Sequence, residues 1–245
     1  TRTLNNTGTL TWTGAGSTIV VQNAAVINNQ GGATFDAQND AAISWGTGGQ
    51  STFNNIGTFK KSAGTGTSTI GSGGGVIFSN TGTVQAQTGT ISMSSSTVTS
   101  SGTFDAASGA TISFPSGSNT FNSGTAFTGA GSSNFTGTGS LAGAITADNF
   151  NFSAGSLTGT ATVTGAGFNW SGGTFSGGGT LTVGGAGVMN ISGAGAASLT
   201  GYTLTNLGTL NWTGAGNTIT VSNAAVINNQ AGGNFNAQSD ANIFW

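Results

Sequence analysis

The chain has 245 residues, of which three are Lys or Arg and five are Asp or Glu, so its formal net charge is −2. It contains no Cys and no His, but 46 Gly, 15 Phe and 5 Trp. A metal site with Cys or His ligands is therefore excluded, as are catalytic triads that need a His. Three cations cannot neutralise a phosphate tract, so we expect no nucleic-acid partner.

The composition also argues against long helices, disorder and a membrane span. Glu is missing, and Gly, Thr, Ser and Asn, which are poor helix formers, fill the chain. No apolar run approaches the ~18 residues that a spanning helix needs, so we expect no membrane span. Disordered chains are poor in aromatic residues, whereas this chain has enough Phe and Trp to build a core.

The first segment of the chain, residues 1–45, returns without a gap as residues 201–245. The two copies are identical at 30 of 45 positions. This offset predicts a super-repeat of 200 residues in which 1–45 and 201–245 are equivalent segments. Because the second copy continues to the last residue, Trp245, we expect the sequence to be a window on a longer tandem array.

A shorter repeat lies inside the super-repeat, in which a Gly-Thr pair is followed by an apolar residue or a short strand-like stretch. With a variant at Gly32 and a further break near Gly143, the pairs divide the 200 residues into nine intervals of about 22 residues. We call this pair the Gly-Thr motif. Its glycines are Gly8, Gly57, Gly82, Gly102, Gly124, Gly159, Gly179 and Gly208.

Within each interval, apolar residues alternate with small or polar ones, which is the period of a strand with one buried face. Glycine-rich runs such as 71–75 separate the strands as turns. The alternating pairs are Leu10/Trp12, Ile19/Val21, Ile43/Trp45, Ile91/Met93, Ile112/Phe114, Phe150/Phe152, Phe168/Trp170, Leu181/Val183 and Leu210/Trp212.

These patterns predict an all-β fold, a single-stranded parallel β-helix or β-solenoid. We expect about nine coils of ~22 residues per super-repeat, and one continuous solenoid over residues 1–245. Strands of successive coils then lie side by side at about 4.8 Å, with like residues stacked on like. The residue after each Thr should point inward, as a column of Leu10, Phe35, Phe59, Val84, Phe104, Leu181 and Leu210.

Uncharged side chains should form the outer columns, because like charges stacked at about 4.8 Å repel one another. The Thr residues of the motif are expected to face outward. The Asn pairs 5–6, 28–29 and 54–55 are expected at turns, where they suit left-handed backbone and can form side-chain ladders. The Thr column comprises Thr9, Thr58, Thr83, Thr103, Thr125, Thr160, Thr180 and Thr209.

The charged residues offer one possible catalytic group. Asp36 and Asp40 are four residues apart, and Lys60 and Lys61 follow about one coil later, as a polysaccharide-degrading β-helix enzyme could require. The second copy replaces Asp36 by Asn236, however, although it keeps Asp40 as Asp240. We therefore assign no catalytic residue and predict that the chain is not an enzyme.

No ligand site emerges from the other motifs. The five Asp residues do not form the stacked column that calcium-binding repeats use, so we predict no metal and no cofactor. Thr-x-Thr ranks raise the alternative of an ice-binding solenoid, but Thr11 becomes Asn211 and the coil lengths vary. Five Asn-x-Ser/Thr matches are interpreted as polar-out, apolar-in alternation: Asn134, Asn151, Asn169, Asn190 and Asn211.

Four stretches resemble the β-strand-repeat regions of very large bacterial secreted or surface proteins, which are adhesin-like and related to filamentous-haemagglutinin-type solenoids. They are Asn-x-Gly-Thr-Leu-x-Trp-Thr-Gly at 6–14 and 206–214, and the motif stretches at 57–66 and 101–112. The resemblance covers essentially the whole chain. It implies a right-handed parallel β-helix, secretion and a surface or extracellular role, and it transfers no catalytic residue.

We therefore predict a structural rod or filament segment of a large extracellular or cell-surface bacterial repeat protein. Its partner would be itself, through tandem continuation or end-to-end contacts. The main alternative is a module that binds surface glycans, at Lys60 and Lys61, at the loop around 71–75 or along 179–208. An ice-binding solenoid and a polysaccharide-degrading enzyme are lesser alternatives.

Overall fold

The computed structural model describes residues 2–214 and 216–245. Over these residues the fold is an all-β parallel β-solenoid with no helix, about eleven coils and about 22 residues per coil. This confirms the predicted fold class. The chain divides into two compact units: unit 1 is Thr1–Thr120 with Thr125–Ser133, and unit 2 is Phe121–Gly124 with Asn134–Trp245. That residues 1–245 form one continuous solenoid stays a prediction.

The strands are short, and most contain three to five residues. In chain order they are β1 (Thr3–Asn6), β2 (Thr9–Trp12), β3 (Ile19–Val21), β4 (Val26–Asn29), β5 (Thr34–Ala37), β6 (Ala42–Trp45), β7 (Ser51–Asn55), β8 (Thr58–Lys61), β9 (Thr67–Ser72), β10 (Val76–Asn80), β11 (Thr83–Ala86), β12 (Thr90–Met93), β13 (Thr97–Ser100), β14 (Thr103–Ala106), β15 (Thr111–Phe114), β16 (Ser118–Phe121), β17 (Ala126–Thr128), β18 (Ser132–Phe135), β19 (Thr138–Ala147), β20 (Phe150–Phe152), β21 (Ser156–Thr164), β22 (Phe168–Trp170), β23 (Gly173–Phe175), β24 (Thr180–Val183), β25 (Val188–Ile191), β26 (Ala197–Thr200), β27 (Thr203–Asn206), β28 (Thr209–Trp212), β29 (Ile219–Ser222), β30 (Val226–Asn229), β31 (Asn234–Ala237) and β32 (Ile243–Phe244).

In unit 1 each strand pairs with the strand three places further along the chain, always in parallel. One ladder contains β1, β4, β7, β10 and β13. A second contains β2, β5, β8, β11, β14 and β17. The third contains β3, β6, β9, β12 and β15. Three strands therefore make one coil, and the registers place Phe53 beside Phe78 and Phe35 beside Phe59.

In unit 2 the coils after the two long strands β19 and β21 again contain three strands each, paired in parallel. The strands β19 and β21 pair over nine residue positions, and β21 then pairs with both β23 and β24. Each long strand thus occupies two of the three strand positions of a coil. From there the ladders are β23–β26–β29–β32, β24–β27–β30 and β20–β22–β25–β28–β31.

The core of each unit is a stack of inward apolar side chains, and 13 of the 15 Phe are buried. Phe35 and Phe59 lie 5.5 Å apart between ring centroids, and the rings of Phe104 and Phe127 stack at 5.5 Å. Each such buried side chain contributes roughly 1.5–3 kcal/mol. The predicted inward column is confirmed, although Leu10, in the first described coil, is only half-buried.

The predicted outward column of Thr is confirmed except at one position. Thr125 is fully buried, and its hydroxyl donates to the Ser100 carbonyl oxygen at 2.9 Å. The register explains the exception, because Ala126, and not Thr125, lies beside Thr103. The Gly-Thr pair at Gly124 is therefore one residue out of step with the motif elsewhere, and its placement in the Thr column was wrong.

The motif glycine is required by the close approach of neighbouring coils. A Cβ at Gly82 would overlap the carbonyl oxygen of Gly57, and a Cβ at Gly102 would overlap that of Gly82. A Cβ at Gly8, in the first described coil, would meet nothing within 4 Å. The same approach lets the following Thr N–H donate to the coil before, as Thr83 does to the Gly57 oxygen at 2.9 Å.

The Asn pairs lie in strands rather than at turns, so the turn assignment was wrong, whereas the predicted side-chain ladders are confirmed. Asn6, Asn29 and Asn55 are buried inside unit 1, and each side-chain amide donates to the asparagine of the next coil at 2.8 Å. The described non-Gly residues with left-handed backbone are instead Asn23 and Ala24, with φ of 54° and 59°, and their equivalents Asn223 and Ala224.

Candidate functional site

The four charged residues that the sequence singled out lie together in unit 1, on adjacent coils. The register places Asp36 beside Lys60 and Ala37 beside Lys61. The Lys60 Nζ lies 3.5 Å from Asp36 Oδ2 on the outer face of the sheet. The other Asp36 oxygen accepts a hydrogen bond from the Ser62 hydroxyl at 2.6 Å. The sequence separation of about one coil therefore brings Asp36 and Lys60 close enough to form an ion pair.

The second pair is unusual because its lysine points into the core. The Lys61 side chain is fully buried, and its Nζ donates to Asp40 Oδ1 at 2.6 Å. It also donates to the carbonyl oxygens of Asn39 at 2.7 Å and Ala63 at 2.9 Å. All three ammonium protons therefore have an acceptor, which is the condition for a buried charge to be tolerated.

The turn at Asn39 holds these acceptors in place. The Asn39 side chain donates to the Trp12 carbonyl oxygen at 3.0 Å and accepts from the Ala41 N–H at 3.1 Å. Ser68, on the following coil, donates to the Asn39 carbonyl oxygen at 2.6 Å. This set of acceptors around Lys61 was not predicted from the sequence. The signal that could have indicated it is the position of Lys61 in its strand, where alternation places the side chain inward.

The electrostatics of the two pairs suit cross-linking of coils better than proton transfer. The hydrogen bond from Lys61, together with one from the Gly66 backbone, holds the pKa of the Asp40 carboxyl below its ordinary value. A general acid needs a carboxyl whose pKa is raised towards neutrality. The Asp36 carboxylate pairs with Lys60 and accepts hydrogen bonds from the Ser62 and Gln38 side chains. The arrangement therefore ties two adjacent coils together through two ion pairs.

A second feature is a column of six asparagines on the outer face of unit 2. From the second member onward, each Nδ2 donates to the Oδ1 of the asparagine on the preceding coil, at 2.7–3.0 Å. The column contains all five Asn-x-Ser/Thr matches, and their polar-out alternation is confirmed. It consists of Asn134, Asn151, Asn169, Asn190, Asn211 and Asn236.

The asparagine column explains why the two copies of the opening segment differ. In the second copy Asn211 and Asn236 extend the column, because β28 pairs with β25 and β31 pairs with β28 in unit 2. In the first copy the equivalent positions are Thr11 and Asp36; Asp36 lies beside Thr11 on one side and beside Lys60 on the other. At each of these positions the residue type therefore suits its neighbours on the adjacent coils: Asn where it stacks on Asn, and Asp where it stacks beside Lys.

The aromatic side chains of the described residues lie mostly inside. Trp12, Trp170 and Trp212 are buried, Trp45 is half-buried, and Trp245 is exposed. In the loop around 71–75, a Cβ at Gly75 would overlap the Trp45 ring, so this loop packs on Trp45. In the stretch 179–208, Tyr202 is buried and donates to the Gly159 oxygen at 2.7 Å, and burial raises the pKa of its phenol.

No protein-family model, curated protein or solved structure matches the sequence. The class of the protein is therefore defined by its strand pairing, which is that of a parallel β-solenoid with a tandem repeat. In the part of the chain that the structure describes, no helix has the length and apolarity to cross a bilayer. Within the same residues, no three potential metal-binding His, Cys, Asp or Glu side chains come together.

Proposed function

We propose that the chain is a non-catalytic structural segment of a large bacterial surface or secreted repeat protein, part of an adhesin-like shaft or fibre. Its function would be to provide length and mechanical continuity outside the cell. Tandem continuation or end-to-end contact between copies would extend the shaft. At about 4.8 Å per coil, nine coils would add roughly 43 Å for each 200-residue super-repeat.

The single observation that carries the proposal is the in-register hydrogen bonding of successive coils in each unit. The motif Thr N–H donates to the previous coil at Thr34, Thr58, Thr83 and Thr103, with N···O distances of 2.8–2.9 Å. Three strands per coil make such bonds along the stacking direction. A pull in that direction loads them together, so the stack resists force without a disulfide.

Side-chain chemistry supports the same proposal. The polar columns satisfy themselves: buried asparagines bond to one another in unit 1, and the outer asparagines do so in unit 2. Lys60 and Lys61 are both paired with an Asp of the preceding coil. These groups bind neighbouring coils, which favours a stacking role over the catalytic role considered for Asp36 and Asp40.

A glycan-binding module is the second candidate, and the outer asparagine column favours it. Asn151, Asn169 and Asn190 are part-exposed, and the Ser residues two places further on, Ser171 and Ser192 among them, lie beside the column. Amides and hydroxyls repeated at one-coil spacing could bind the hydroxyls of an extended polysaccharide. Glycan-array binding that is lost in Asn169→Ala/Asn190→Ala would support this function.

Electron microscopy of native material tests the structural proposal. Antibodies against this chain should label thin fibres at the surface of intact bacteria, and diffraction from those fibres should show an axial spacing near 4.8 Å. Label that appears only after the cells are permeabilised, or on compact particles, would contradict it.

A further inference from the structure

The coil that follows the first copy of the repeated segment is held by a specific set of contacts. Asn23 and Ala24, both with left-handed backbone, donate their N–H groups to the carbonyl oxygens of Thr47 and Gly49, at 2.9 and 3.0 Å. A Cβ at Gly48 would overlap the Asn23 side chain, so the incoming turn needs glycine at this position.

The same coil places its lysine in the corner at Asp40. Lys61 reaches back to Asp40 Oδ1 at 2.6 Å and to the Asn39 carbonyl oxygen at 2.7 Å. Gly64 and Gly66 are required beside it, because a Cβ at either would come within 3.0 Å of the Asp40 carboxylate. Residues 46–66 thus supply the groups that contact Asn23, Ala24 and Asp40: a Gly-rich turn, a lysine and two glycines.

The second copy presents the same recognition geometry. Asn223 and Ala224 have φ of 54° and 56°, against 54° and 59° in the first copy. The turn before Asp240 is also kept: Ala241 N–H donates to the Ser239 hydroxyl at 3.1 Å, as Ala41 N–H donates to the Asn39 side chain at 3.1 Å. The receiving half of the contact therefore exists twice in the chain.

In the second copy this receiving surface is free within the described residues. No described acceptor takes the N–H of Asn223 or Ala224. Asp240 is exposed and lines a hollow of about 220 Å³ with Thr213, Gly216, Gln238, Ser239 and Ala241. Trp245 is 83% exposed, whereas the Nε1–H of its equivalent Trp45 donates to the Gly49 carbonyl oxygen at 3.4 Å.

We propose that Asn223, Ala224, Asp240 and Trp245 form a stacking site for a coil with the sequence of residues 46–66, placed in line after Trp245. The site selects its occupant by three features: carbonyl groups of a Gly-rich turn for the two N–H groups, a lysine for Asp240, and glycines where the chains approach. The inference rests on the proposed structural function and adds to it the identity of the segment that the end of unit 2 accepts.

The test is to append residues 46–66 directly after Trp245 of the full chain and to measure amide exchange at Asn223 and Ala224. We expect exchange at both amides to slow at least tenfold relative to the 245-residue chain. NMR should show the ammonium of the appended lysine hydrogen-bonded to the Asp240 carboxylate, as Lys61 is to Asp40. Two matched controls are an appended copy with Lys61→Met and the same extension on Asp240→Asn.

Both controls should keep the exchange protection and lose this hydrogen bond, because the first lacks the lysine and the second lacks the carboxylate. The proposal is overturned if the appended segment leaves exchange at Asn223 and Ala224 unchanged. It is also overturned if an appended stretch of equal length, residues 88–108, protects them equally. Concentration-dependent protection in the unextended chain would assign the site to a second molecule and overturn it too. None of these outcomes decides the proposed surface function, which the microscopy of native fibres tests separately.

Discussion

Lys61 Nζ and Asp40 Oδ1 lie 2.6 Å apart across one coil of unit 1, with the lysine fully buried and the Asp40 side chain 43% exposed. In a chain with only eight charged residues, three Lys or Arg and five Asp or Glu, this pair is a costly choice. The Asp40 carboxylate remains in contact with water, and it neutralises the charge of the Lys61 ammonium, which has no contact with water. The pair therefore fixes one coil against the next at a defined register.

The two members of this pair should respond differently to substitution. Asp40→Ala leaves a buried ammonium with only carbonyl acceptors, and we expect a clear fall in the free energy of unfolding. Lys61→Met removes the charge and fills the same space with an apolar chain, so stability should remain within about 1 kcal/mol of the parent. Urea denaturation of the two variants checks the order, and equal losses would contradict it.

Acidification should weaken the same contact. Lys61 holds the pKa of the Asp40 carboxyl below its ordinary value of 3.8. A group whose pKa is lower in the folded state stabilises fully above its unfolded pKa, and this contribution disappears as the pH falls through the folded pKa. The parent should therefore lose stability below about pH 4 more steeply than Lys61→Met, in denaturation curves measured from pH 6 to 2. Parallel curves would rule out the contact as the cause.

The motif glycines should differ in tolerance according to their position in the stack. Gly82→Ala places a Cβ against the Gly57 carbonyl oxygen, and we expect a loss of about 2–4 kcal/mol. Gly8→Ala is the matched control, because its Cβ would meet nothing within 4 Å and its backbone is not left-handed. Thermal denaturation distinguishes the two, and a similar decrease in Tm for both would count against the close approach of coils.

The buried asparagine ladder should matter more than the outer one. Asn55 accepts from Asn29 and donates to Asn80 and to the Thr83 carbonyl oxygen, at 2.8–2.9 Å. Asn55→Ala leaves these buried partners unpaired, which costs roughly 1–3 kcal/mol. Its neighbour Asn54 faces outward with one bond to Asn28, so Asn54→Ala should cost less than 1 kcal/mol. Equal costs would show that the ladder is incidental to stability.

Stacking also predicts which charges the outer face accepts. Asn169 and Asn190 are adjacent in the outer column, with Nδ2 and Oδ1 2.9 Å apart. Asn169→Asp/Asn190→Asp should be destabilised by repulsion, and the loss should shrink at high salt. Asn169→Asp/Asn190→Lys creates the opposite-charge arrangement of Asp36 and Lys60 and should be the more stable double variant. The reverse order, measured by chemical denaturation, would refute this explanation of the low charge.

The fold class could be predicted from the sequence because the alternation of apolar residues and the recurrence of the Gly-Thr motif both indicated short strands in stacked coils. Alternation placed Phe35, Phe59 and Phe104 inward, and the recurrence of the Gly-Thr motif indicated one unit per coil. Repetition made the stacking partners predictable, since equivalent residues of successive coils must meet. The inward-facing residues and their stacking partners could therefore be predicted from this single sequence.

The exceptions come from register, which depends on loop lengths that the alternating pattern does not fix. Thr125 carries the motif but lies one residue out of step, so it is buried. Asn29 and Asn55 were predicted at turns because Asn is common there. In the stacked coils they lie in strands, and their side-chain amides bond to each other inside the core. The inward position of Lys61 could be read from the alternation, but its acceptors could not, because they come from two turns on different coils, Asn39 and Asp40 on one and Ala63 on the other.

Scalar couplings across hydrogen bonds, measured by NMR on the deuterated chain, test the parallel stacking of coils most directly. The structure predicts couplings from the Thr58 N–H to the Ala33 carbonyl, from Thr83 to Gly57 and from Thr103 to Gly82, each with an N···O distance of 2.9 Å. All three should be present in the same folded sample. Couplings that instead connect these amides in an antiparallel order would contradict the solenoid.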